Sequence, residues 1–96
     1  MVTKKIILNT LRDHKEKLEN RFGVRKIGLF GSYARDNAGL QSDIDILVEF
    51  NSPTFDNYMD LKFYLEDLLK TPVDLVLNDA LKKRLRPYIA QEVVYA

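Results

Sequence analysis

The chain predicts an α/β (α+β) fold, a small mixed β-sheet with helices packed on it. Three observations carry that expectation: short apolar runs of strand length, longer stretches with apolar residues three and four apart, and turn residues that merely separate them. No internal repeat, linker or low-complexity segment interrupts the order.

Ile7, Leu11, His14, Leu18 and Phe22 recur at helical spacing between a capping Thr3 and a helix-stopping Gly23, which predicts one amphipathic helix over one sheet face. Val24–Phe30 is apolar and rich in branched residues, a strand that enters a tight turn at Gly31. Residues 33–35 begin one or two helical turns, and residues 36–42 form a polar loop. Residues 43–50 alternate, with Ile44, Ile46, Val48 and Phe50 on one face and Asp43, Asp45, Leu47 and Glu49 on the other. Ser52 and Pro53 mark a helix start, and Phe55, Met59, Leu61, Leu65, Leu68 and Leu69 supply an apolar stripe that stops before Pro72. Val73–Leu77 is a third strand. Asn78 or Asp79 then caps a last helical region through Tyr95, bent or restarted at Pro87.

With 96 residues, 46% apolar and 30% charged, the chain is expected to bury one core as a single domain over residues 1–96. Fifteen basic residues against 14 acidic leave a net charge of +1, so no overall positive field favours long nucleic acids. Cysteine is absent, so a metal would have to bind through oxygen or the single His14, which points towards magnesium or manganese. No stretch approaches the ~20 apolar residues of a membrane span, and a soluble, cytoplasmic protein without membrane contact is expected.

The strongest chemical signal joins Gly31 and Ser32, at a strand-to-helix turn, to Asp43 and Asp45 on a strand. Residues two apart on a strand point the same way about 6.5 to 7 Å apart at Cα, so both carboxylates can reach cations roughly 3.5 to 4 Å from each other, as two-metal phosphoryl chemistry requires. Asp74, between Val73 and Leu75, leaves the core face and can turn towards the same cleft. Three such acids repel one another unless a cation sits among them. Magnesium, which keeps waters or phosphate oxygens in its octahedral shell, fits three carboxylates and a triphosphate. Backbone amides at Gly31 and the Ser32 hydroxyl can then face phosphates. The bland alternatives are solvated strand-edge acids and an ordinary turn with a capping serine; the apolar run after Asp45 argues that its strand is central. Arg35 suits either a triphosphate contact or an ion pair with Asp36 or another acid. His14 reads as a packed residue, Lys82, Lys83, Arg84 and Arg86 as a solvated basic face, and Tyr88 and Tyr95 as packing residues.

The segments G-S-Y-A-R, S-D-I-D-I-L-V and V-D-L-V resemble the minimal nucleotidyltransferases of the DNA polymerase beta-like superfamily, and the tail A-L-K-K-R-L-R-P-Y-I-A-Q-E-V-V-Y is similar to their C-terminal segment. The likeness implies a polymerase beta-like core, with Asp43 and Asp45 as magnesium ligands and Asp74 as the third acid. It also implies that Gly31 and Ser32 hold the triphosphate; Arg35 and Ser42 are further nucleotide-binding candidates beside that set. Two Mg2+ ions, replaceable by Mn2+, and ATP as substrate follow from the same likeness. Members of the family are typically antitoxins of helical HEPN-domain toxins, and some transfer AMP to a toxin tyrosine. The expected function is therefore AMP transfer from Mg-ATP to a hydroxyl, with a HEPN-domain protein as partner and homo-oligomerisation left open. Two other readings are a non-catalytic antitoxin that works by occlusion and the catalytic subunit of a small-molecule nucleotidyltransferase. One departure stands out: Asp36 occupies the place where glycine often follows the motif arginine.

Overall fold

In the computed structural model of the protein, which describes residues 2–39 and 41–96, Thr3 accepts a hydrogen bond from the Ile6 amide at 3.2 Å and opens helix α1 (Lys4–Asp13). The single long helix expected here is two, because the chain kinks at His14 before α2 (Lys15–Phe22). His14 Nδ1 lies 2.8 Å from the Thr10 carbonyl, which also accepts from the His14 amide at 3.2 Å, so ring and amide share one acceptor at the kink. The ring is half-buried and edge-on to Tyr64, so His14 is packed, as its place on the apolar stripe implied. Gly23, at φ 70°, ends α2 in the left-handed conformation.

Strand β1 (Val24–Phe30) follows, then the short helix α3 (Gly31–Ala34), strand β2 (Ile44–Phe50), helix α4 (Phe55–Leu69) and strand β3 (Val73–Leu77). Leu40, in the loop expected over residues 36–42, lies outside the described residues, as does Met1. Helix α4 starts at Phe55 rather than at Ser52 and Pro53, because the Thr54 side chain makes the cap, accepting from the Asn57 amide at 3.1 Å. Its buried stripe is narrower than expected: Leu61, Leu65 and Leu69 are in the core, whereas Phe55, in the first turn, is 77% exposed.

The C-terminal quarter departs most from expectation. Instead of one helical region reaching Tyr95, two 3-10 turns (Asn78–Ala80 and Lys83–Leu85) lead into helix α5 (Arg86–Glu92), and Val94–Tyr95 forms a fourth strand, β4. Pro87 sits in the first turn of α5, where its missing N–H costs nothing. Strand β4 pairs antiparallel with Gly28 and Leu29, and Gly28 permits the approach: a Cβ there would press on Val93 Cγ2 at 2.8 Å and Tyr95 Cδ1 at 2.9 Å. Tyr88 is 70% exposed and Tyr95 40%, so neither is a core packing residue; Tyr95 instead lies under the Lys26 ammonium. Lys82, Lys83, Arg84 and Arg86 are all exposed, as a solvated basic face would be.

The sheet order is β3-β2-β1-β4, with β1 antiparallel to β2 and β4, and β2 parallel to β3 through the α4 crossover. It is thus a small mixed sheet. The core includes Ile7 and Leu11 from α1, Leu18 from α2, Ile27 and Leu29 from β1 and Ile44, Ile46 and Val48 from β2, together with the buried stripe of α4. No described helix is long and apolar enough to cross a membrane.

Candidate active site

Strand register assembles the site. Asp45 is the Cα partner of Phe30 on one side and of Asp74 on the other, and Gly31 directly follows Phe30. Three neighbouring strands therefore deliver Phe30, Asp45 and Asp74 in one row across the sheet, with Gly31 directly after Phe30. Two bonds fix the start of β3 and hence Asp74: the Val73 amide donates to Glu66 Oε2 at 2.9 Å, and the Ile44 amide donates to the Pro72 carbonyl at 3.0 Å.

Gly31 has φ 74°, a conformation that disfavours any side chain. Space forbids one as well, since a Cβ at this position would collide with the Asp45 carboxylate. The turn thus brings backbone against the acid, which is what the glycine allows.

Asp45 is half-buried while Asp43 and Asp74 are exposed. Burial, then the charges of Asp74 and Asp43 and a hydrogen bond with Asp74, push the Asp45 carboxyl up from 3.8 to about 6, against a smaller opposing pull from Arg35. The Asp45 and Asp74 carboxyls are thus within hydrogen-bonding reach, and Asp43 is close enough to act through its charge. In the folded protein Asp45 keeps its proton over an interval where the unfolded chain has lost it. This group therefore makes metal-free stability fall as pH rises from 3.8 to about 6, and it adds no further slope above that. Melting temperatures measured across that range in chelator should show the decline, and added Mg2+ should flatten it.

Glu92, at the end of α5, is a site residue that the sequence did not disclose. Its Oε1 accepts from the Gly31 amide at 2.9 Å, and its Oε2 pairs with Arg35 Nη1 at 2.9 Å. Burial works against its charge, but the Gly31 and Arg35 bonds outweigh that and hold its pKa below the usual carboxylate range. Sixty-one residues separate Glu92 from Gly31, and no local pattern links them. Arg35 thus takes an acid partner, and that partner is Glu92 rather than Asp36. Asp36 itself adopts φ 58°, the left-handed conformation that glycine favours and aspartate tolerates, so the sequence departure keeps a turn suited to glycine. Ser32 is half-buried on the first turn of α3. The Ser42 hydroxyl accepts from the Gly39 amide at 2.9 Å within its own loop, so in this state it closes that loop.

The donor set suits a hard divalent cation. Asp45 and Asp74 present carboxylate oxygens side by side, and their mutual repulsion is what a cation would relieve. Among the described residues, no three acids or histidines form a ready-made cage. Magnesium does not need one, because it commonly binds through one or two carboxylates and completes its shell with water and phosphate oxygens. An open depression of about 510 Å3, lined in part by Thr3, Lys4, Tyr33, Asp36 and Gly39, abuts the turn, but none of the three acids lines it.

A glycine-serine turn set against paired carboxylates on a mixed sheet defines a nucleotidyltransferase, and the nucleotidyltransferase domain family matches residues 11–96. The chain is 46% identical over 96 residues to the protein adenylyltransferase MntA of Thermococcus cleftensis, covering 99% of this chain and 97% of that protein. A solved structure ascribed to the minimal nucleotidyltransferases superposes with a TM-score of 0.75 at 38% identity, covering 91% and 93% of the two chains. A chain of a solved toxin-antitoxin complex with AMP-PNP is similar at TM-score 0.69 and 26% identity, covering 98% of this chain and 72% of that one. The protein belongs to the minimal nucleotidyltransferase family, with the polymerase beta-like core of its relatives.

Proposed function

We propose that the protein transfers AMP from Mg-ATP to a hydroxyl, a tyrosine of a HEPN-domain toxin partner, and so acts as an antitoxin. The observation that carries this reading is the pairing of Asp45 with Asp74 on neighbouring strands, with the Gly31 turn against Asp45 and Asp43 close enough to act through its charge. Near-complete coverage of a protein adenylyltransferase supports the AMP-transfer assignment, and likeness to a chain of a toxin-antitoxin complex supports the partner. Residues 1–96 would act as one catalytic domain.

In the reaction, the acceptor oxygen attacks the α-phosphorus of ATP in line, the bond to the bridging oxygen breaks, and pyrophosphate leaves. Asp43, Asp45 and Asp74 would hold magnesium, two ions in the usual scheme or manganese in its place. Held there, such a cation would neutralise the triphosphate and lower the pKa of the attacking hydroxyl, which is about 10 for free tyrosine. Gly31 and Ser32 would position the phosphates by close backbone approach, and Asp74 would take the acceptor proton, a role its exposure relative to Asp45 supports. The reaction would run in the cytoplasm, where ATP and the partner are available.

The test is incubation of the protein and its HEPN-domain partner with labelled ATP and Mg2+, followed by mass measurement of both chains. The partner should gain whole AMP units, lost on Tyr→Phe substitution of the acceptor. An ATP-independent, stoichiometric block of the toxin would favour a binding antitoxin, and labelling of a small acceptor alone would favour a small-molecule enzyme; either result overturns the proposal.

A further inference from the structure

Glu92 does something the reaction scheme leaves unexplained. One carboxylate engages two donors beside Asp45, the Gly31 amide and Arg35 Nη1, both at 2.9 Å. The glycine-serine turn is where phosphate oxygens are expected, and a guanidinium is the side chain best suited to bind them in pairs. An acid is therefore seated where a substrate anion would sit, and it makes the kind of two-pronged contact that two phosphate oxygens would make.

We propose that Glu92 is a carboxylate gate: it occupies the Gly31 amide and Arg35 as an internal stand-in for phosphate, and the triphosphate must displace it to bind productively. This rests on the nucleotide-site reading above. Two independent effects have the same sign. Glu92 competes directly for both donors, and its carboxylate adds a negative charge at the Gly31 turn, which itself lies against Asp45, in a site that must accept a polyanion. Displacement is sterically feasible, because Glu92 is the last residue of α5, with its side chain 23% exposed and the Arg35 side chain 50% exposed. When the site is empty, the same contact keeps Arg35 paired and ties α5 to α3.

A purely structural brace makes the opposite prediction, since loosening the turn would weaken nucleotide binding. The sign of the change therefore decides. The glutamine of Glu92→Gln retains an acceptor for the Gly31 amide but loses the charge-assisted hold on Arg35. Calorimetric titration with Mg2+-tripolyphosphate and with Mg-ATP should show the variant binding about tenfold more tightly than wild type, ~1.4 kcal/mol. The gain should disappear when Arg35→Gln is present as well, because the released guanidinium supplies it. Equal or weaker binding by Glu92→Gln, with wild type still binding, overturns the gate and leaves the nucleotide site intact. If neither protein binds tripolyphosphate or ATP, the nucleotide reading has failed and the gate with it. Should the variant not fold, wild type decides alone by NMR. Saturation with Mg2+-tripolyphosphate should shift the Glu92 side-chain carboxyl carbon and the Gly31 amide together, and a Glu92 carboxyl unmoved at saturation overturns the proposal.

Discussion

Asp45→Asn should lower AMP transfer by on the order of 10³-fold or more while the metal-free protein melts no lower than wild type. The two halves of this expectation share one cause. Asp45 sits in a half-buried position beside Asp74, with Asp43 adding further negative charge, and its carboxyl is pushed up to about 6 as a result. Neutralising it removes repulsion from the folded state, so the apo fold gains or stays even. On the proposed mechanism the cost falls on function, because Asp45 would be the central metal ligand. Initial rates with labelled ATP, read beside melting curves in chelator, check both halves. A near-wild-type rate would remove Asp45 from the chemistry, and a marked fall in metal-free melting temperature would mean that the acids are not clustered.

Gly31→Ala should cost at least about 10²-fold in transfer, the penalty expected when a catalytic group is displaced by about 1 Å. The alanine methyl would meet the Asp45 carboxylate, which has to swing aside. Gly23→Ala separates this effect from backbone strain. Gly23 has φ 70° and Gly31 φ 74°, yet a Cβ at Gly23 meets nothing within 4 Å. Both alanines therefore carry a similar left-handed penalty of roughly 1–2 kcal/mol, and only Gly31→Ala adds the collision. Gly23→Ala should lose stability and keep its rate, whereas Gly31→Ala should lose both. Equal rates in the two variants would mean that the approach of the turn to Asp45 has no part in the reaction.

The parts of the fold that were legible in the sequence are those where a regular period coincides with burial. Val24–Phe30 and Val73–Leu77 have the bounds that their apolar runs imply, and the alternation after Asp43 placed Ile44, Ile46 and Val48 in the core. Where short-range chemistry competes with the period, the reading slipped. The chain kinks at His14, whose ring and amide share the Thr10 carbonyl, so one expected helix is two, and the Thr54 cap delayed α4. Strand β4 was missed because two residues carry too little pattern to outweigh the helical spacing before them, although the branched pair Val93 and Val94 was a usable sign.

The candidate site divides in the same way. Gly31 and Asp45 are close in sequence and belong to elements whose phase can be read, so the approach of the turn to Asp45 was inferable, although β2 begins at Ile44, one residue after the expected start at Asp43. Asp74 needed the parallel pairing of β2 with β3, which follows once α4 is recognised as a crossover. Glu92 could not be inferred, because its contact with Gly31 depends on how α5 returns to the sheet edge. The same return supplies the acid that pairs with Arg35, an ion-pair partner the sequence could not name.

The most direct check on the shared-charge site is a crystal grown with Mn2+ and a non-hydrolysable ATP analogue, examined for anomalous scattering. The expected result is manganese density in contact with Asp43 and Asp45, with Asp74 facing the same ion cluster. A nucleotide bound elsewhere, no manganese at these carboxylates and Asp74 turned away from Asp45 would contradict the site.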